Sequence, residues 1–71
     1  MKNDWICIYS TGKYYRAQFA RELLTDEGVE SVIIDKTDSS GYMHPSGFVE
    51  VFVRRGDVIK AMHLLKTAQF E

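Results

Sequence analysis

The sequence predicts an α+β domain, a two-layer sandwich in which a three-stranded antiparallel sheet of order 1-3-2 carries two helices on one face. Three observations predict it. Three short runs dense in β-branched and aromatic residues, "WICIY", "SVIIDK" and "FVEVFV", read as strands. Stretches with apolar residues at helical spacing follow the first and the third of these runs. The chain has 71 residues, 45% of them hydrophobic and 27% charged, which is enough for a single soluble domain spanning residues 1–71.

The first strand, Trp5 to Tyr9, would place Ile6 and Ile8 on one face and Trp5, Cys7 and Tyr9 on the other, because side chains alternate along a strand. "STG" breaks the run, and Ser10 or Thr11 is positioned to cap the next helix by accepting from a free N–H of its first turn. That helix covers Tyr14 to Glu27. Ala17, Ala20 and Leu24, flanked by Phe19 and Leu23, recur at helical spacing, while Arg16, Gln18, Arg21, Glu22 and Asp26 fall mostly on the other side. Gly28 suits the left-handed conformation that ends many helices, and Val29 is placed to fold back on Leu24.

The second strand, "SVIIDK", sets Val32 and Ile34 against Ile33 and Asp35. The third, Phe48 to Val53, alternates most cleanly. Val49, Val51 and Val53 share one face, and Phe48, Glu50 and Phe52 the other. "RRGD" turns the chain, Asp57 stands as N-cap, and a last helix runs from Val58 to Ala68 with Ala61, Leu64, Leu65 and Ala68 inward and Met62 at the border.

A strand–helix–strand crossover is right-handed and leaves the first two strands parallel. The third slots antiparallel between them, and both helices cover the valine face. This is the ferredoxin-like plan without its last strand, and it leaves the first strand as an open edge of the kind proteins usually cover or pair.

The formal net charge of -1 and a sequence pI near 6.1 give no general pull toward nucleic acid or anionic lipid. The single cysteine, Cys7, rules out an internal disulfide and suits a cytoplasmic location. The N-terminal apolar run is too short for a signal peptide, and no stretch approaches membrane-spanning length.

With the helices on the valine face, the opposite face is expected to collect Trp5, Cys7, Tyr9, Ile33, Phe48 and Phe52. A large apolar patch of this kind marks an interface. Trp5, Tyr9, Phe48 and Phe52 are the expected oligomer contacts, in a homodimer. RNA-binding sheets also stack bases on such aromatics but surround them with basic residues. Glu50 and Asp35 share this face, which argues against nucleic acid.

The connection "KTDSSGYMHPSG" holds the only proline and two of the five glycines. Its serines and glycines favour turns, whereas Tyr42, Met43 and His44 make contacts and Pro45 restrains the backbone locally. Long loops on rigid scaffolds are commonly functional, so Asp38, Tyr42, Met43, His44 and Pro45 are the expected binding loop for a protein or small-molecule effector.

Enzymatic readings are thinner. A nucleophilic Cys7 needs a base and an orienting group, and nothing in the spacing brings His44 or His63 to it. A metal site from His44, His63, Asp35 or Asp38 lacks any paired ligand spacing. "STGK" lacks the glycine framework of a phosphate loop, although Thr11, Gly12 and Lys13 at a helix start could hold an anion. No cofactor is implied. The alternatives to a binding module are a small enzyme or metal protein using Cys7 or His44, and a structural interaction domain without a ligand.

The stretches "IYSTGKYYRAQFARELLTDEGVES" and "VEVFVRRGDVIKAMHLL", joined by a loop containing glycine and proline, resemble a family of small bacterial proteins of unknown function described as signal-transducing. Ala17, Leu24, Gly28 and Val29 match its helix ending in glycine and an aliphatic residue. Val49, Val51, Val53, Asp57 and Ala61 match its central strand and second helix. Gly12 stands where that family often has proline, and Tyr14 and Tyr15 are bulkier than usual, so the resemblance is least informative at the helix start. The resemblance implies no catalytic residues. It implies a distant similarity to nitrogen-regulatory PII proteins, which use a long loop after the second strand to touch effectors and partners, and that similarity makes a trimer the alternative to a dimer.

Overall fold

The structure, a computed structural model, describes residues 4–36 and 49–69. Strand β1 (Trp5–Thr11), helix α1 (Tyr14–Asp26), strands β2 (Ser31–Asp35) and β3 (Val49–Arg54), a 3-10 turn (Arg55–Asp57) and helix α2 (Val58–Thr67) follow in chain order. The sheet order is β1-β3-β2, with β3 antiparallel to both neighbours. Both helices lie on the valine face, the α+β arrangement the sequence predicts and consistent with a ferredoxin-like plan.

The core is where β-branched residues of the central strand meet small residues of the helices. Val49, Val51 and Val53 of β3 are fully buried against Ala17, Ala20 and Leu24 of α1 and Ala61 of α2. The alanines let the helices approach the sheet closely, and the valines supply branched surface for them to rest on. Val51 sits mid-strand between Tyr9 and Ile33. Val51→Ala should therefore cost about 1 to 3 kcal/mol from lost burial and a residual cavity, read as a lowered midpoint in urea denaturation. An unchanged midpoint would place Val51 on the wrong face.

Helix α1 ends as its sequence indicates. Gly28 has φ +80, a region costly for side chains with a Cβ. The Val29 N–H reaches back to the Leu24 carbonyl at 2.8 Å, and the Gly28 N–H to that of Thr25 at 3.0 Å. These two bonds form a Schellman motif, and they fold the buried Val29 onto Leu24. Lys60 of α2 donates its Nζ to the Glu27 carbonyl at 3.1 Å, tying the two helices at this end.

The helix starts differ from expectation. Lys13, not Ser10 or Thr11, is the N-cap of α1, and Thr11 is still strand. Asp57 does occupy the N-cap position of α2, but no side-chain bond to the helix is made there, because the 3-10 turn already closes the chain onto it.

The register corrects three face assignments. Pairing along β1 runs Trp5↔Arg54, Ile6↔Val53 and Cys7↔Phe52, then slips at a bulge to Tyr9↔Val51. One extra residue reverses the alternation beyond it. Tyr9 thus joins the valine face, only 9% exposed and part of the core, and is not an oligomer contact on the opposite face. Arg16 donates its Nε to the Tyr9 hydroxyl at 2.9 Å, so the phenol's polar tip is satisfied. On β2, Ile33 pairs with Val51 and Asp35 with Val49, which moves both to the valine side and leaves Val32 and Ile34 on the other. The polar residues of β2, Ser31 and Asp35, share the inward face with Ile33, so the alternation along this strand points the wrong way and only pairing with β3 decides between its faces.

Candidate functional site: the sheet face opposite the helices

The face opposite the helices is built in rows by the strand register. Trp5 lies beside Arg54, Phe52 lies between Cys7 and Val32, and Glu50 lies between Ser10 and Ile34. Trp5, Val32, Ile34 and Phe52 are half-buried and Cys7 is exposed. No helix of the described residues packs on this side. Trp5, Cys7 and Phe52 are where the sequence placed them. Val32 and Ile34 were missed, for the reason given above.

Charges frame this apolar strip at both ends. Lys36 Nζ lies 3.1 Å from Glu50 Oε1 at one end, and Arg54 Nε lies 3.3 Å from Glu30 Oε1 at the other. The Arg54 guanidinium also stacks on the Trp5 ring, 4.7 Å from its centroid. Such exposed pairs add little stability. Their placement is what matters, since each end of the strip carries both signs. The signal was present in the sequence as alternation, because Glu50, Phe52 and Arg54 sit two residues apart on one strand.

Cys7 lies in the middle of this face, and its Sγ contacts the Tyr9 carbonyl at 3.5 Å. The residue is exposed as a whole, yet desolvation pushes its thiol pKa up, and the Glu50 carboxylate adds to that. A raised pKa keeps the sulfur protonated at neutral pH, where a thiol is a poor nucleophile. His63 lies on α2, across the sheet from Cys7.

Of the proposed anion site, Thr11 ends β1 and Gly12 and Lys13 follow it, exposed. The Thr11 hydroxyl accepts the Lys13 N–H at 3.1 Å, and the Lys13 carbonyl accepts the Arg16 N–H at 3.1 Å. This is a hydroxyl-capped turn feeding the helix. The binding-loop residues Asp38, Tyr42, Met43, His44 and Pro45, and the face residue Phe48, lie outside the described residues. The strand residues Asp35 and Val49, on either side of that segment, are paired neighbours on adjacent strands.

A shallow groove of about 330 Å³ runs between the helices, lined by Leu23, Asp26, Glu27, His63, Leu64 and Thr67 among others. His63 shares this groove with Asp26 and Glu27. Among the described residues, no group of three or more His, Cys, Asp or Glu is arranged to hold a metal ion. No helix among them is long and apolar enough to cross a membrane.

Comparison with known proteins gives one result. The model of a family described as "Putative prokaryotic signal transducing protein" matches residues 5–69. No curated protein and no solved structure matches the chain.

Proposed function

The chain belongs to this signal-transducing family, and from that premise we propose that it works as a non-enzymatic binding module of the cytoplasm. Its contact surfaces are the sheet face opposite the helices and the connection from Lys36 to Gly47. The observation that carries this reading is the apolar strip of Trp5, Cys7, Val32, Ile34 and Phe52, which no described element covers. An apolar strip rimmed by paired charges is the composition of a contact surface. The strip supports homo-oligomer formation, and the loop supports contact with a protein or small-molecule effector. Its Tyr42, Met43 and His44 are adhesive side chains set among serines and glycines.

Two variants test the two surfaces separately. Phe52→Glu would force a carboxylate into the contact and should weaken association by about tenfold or more in sedimentation. Replacing residues 38–46 with Asn-Gly should leave the denaturation midpoint nearly unchanged, because closure entropy grows slowly with loop length and the flanking strands are already neighbours. The shortened chain should fail to recover the effector that the wild type captures from native lysate. Loss of folding would make the loop a structural element. Capture unaffected by either change would place function on the helices.

A further inference from the structure

We propose that the sheet face closes on the same face of a second copy of this chain, with the two sets of strands antiparallel about a two-fold axis lying along the row Cys7–Phe52–Val32. This rests on the reading of that face as a homo-oligomer contact surface, and adds the geometry.

On β3, Glu50 and Arg54 stand two residues either side of Phe52, on the same face. Along β3 the charge pattern is therefore antisymmetric about Phe52, the flanking Lys36 and Glu30 carry the reverse pattern beside it, and a surface of this kind is complementary to itself turned end over end. A two-fold axis relating two stacked faces lies in the plane between them. It has two natural directions, across the strands or along them.

An axis across the strands, through the middle row, sets Phe52 against Phe52 of the second copy, Val32 against Val32 and Cys7 against Cys7. It carries the Trp5–Arg54 row over the Ser10–Glu50 row. Arg54 of each copy then meets Glu50 of the other, and this contact is made twice. The Glu30 end of β2 likewise turns toward the Lys36 end of the second copy. An axis along β3 instead opposes Arg54 to Arg54 and Glu50 to Glu50. Like charges face to face are costly, so the charges select the first geometry. The tilt of about 30° between stacked sheets changes none of these end-to-end matches.

Area sets the strength. Three strands about 4.8 Å apart, rising about 3.3 Å per residue, offer a patch of roughly 14 by 20 Å, near 300 Å² per copy. A stable interface needs about 800 Å² per partner. The dimer is accordingly weak, and salt loosens it because its selectivity is ionic.

The test uses the full chain at low salt, at concentrations on the order of 100 μM, where weak dimers are populated. Sedimentation should show association, with Glu50→Lys and Arg54→Glu each raising Kd about tenfold or more, since each alone creates two like-charge contacts. A one-to-one mixture of the two variants should restore association, because both contacts are then satisfied in the mixed dimer. A short bismaleimide should link Cys7 to Cys7 in the wild type, a product the along-strand stacking does not give. The proposal is overturned if the wild type stays monomeric, if mixing rescues nothing, or if association persists without the Cys7 link. A monomeric wild type whose Phe52→Glu variant still loses an effector leaves the face a contact surface for another protein, and removes only the second copy.

Discussion

Leu24→Ala should remove about 2 to 5 kcal/mol of stability, the range for deleting a buried leucine side chain that its surroundings cannot refill. Leu24 is fully buried at the end of α1, where the sheet, α2 and the returning Val29 meet. The helix-ending bonds from Glu27 and Val29 go to its carbonyl, so they survive the substitution, and the loss isolates side-chain packing. A domain of this length holds only about 4 to 10 kcal/mol in total. The variant should therefore be partly unfolded at room temperature, with a urea midpoint far below that of the wild type. Ile59→Ala is the control. Ile59 is 85% exposed, and its removal should stay within about 0.5 kcal/mol. Equal midpoints for the two variants would mean that α1 does not pack as described.

Tyr9→Ala is expected to destabilise by about 3 to 5 kcal/mol, as for other large aromatic-to-alanine changes in cores. Tyr9→Phe should cost about 1 kcal/mol, through loss of the hydroxyl that accepts from Arg16. The pair discriminates between two placements of one ring. With Tyr9 in the core, the alanine variant loses stability while whatever remains folded associates normally. With Tyr9 on the opposite face, association would suffer and the denaturation midpoint would stay in place.

That ring shows where sequence patterns stop carrying information. The valines of β3 could be assigned to the core because Glu50 alternates with them, and a carboxylate on the inner face would be costly. Gly28 and Val29 could be read as a helix end because the Schellman motif is local and needs a glycine at one position. Trp5 and Cys7 obey simple alternation and were placed correctly. Tyr9 was not, because the bulge between Cys7 and Tyr9 is a relation between two strands that leaves no mark in either one alone. Ile33 was misplaced for another reason, since Ser31 and Asp35 share its face and mark that face as outward although it turns toward the helices. The alternation of charges on β3 was visible, but the ion pairs they make were hidden as the bulge was, in a relation between two strands. Lys36–Glu50 and Glu30–Arg54 join residues distant in sequence, and they become neighbours only once β2 and β3 are in register.

The strand order β1-β3-β2 also sets a timetable. The two outer strands leave the ribosome first, and the strand that must lie between them follows. Until Arg54 has emerged, β1 has no partner, and α1 has no floor of valines to rest on. Among the described strands, the pairing of β2 with β3 is the one between successive strands, and β1 must then close across the whole length of α1 to complete the sheet. Closures over such distances are slow relative to local ones. The nascent chain thus exposes Trp5, Ile6 and Ile8 longest, and a chaperone that recognises short apolar segments would find them before the fold does.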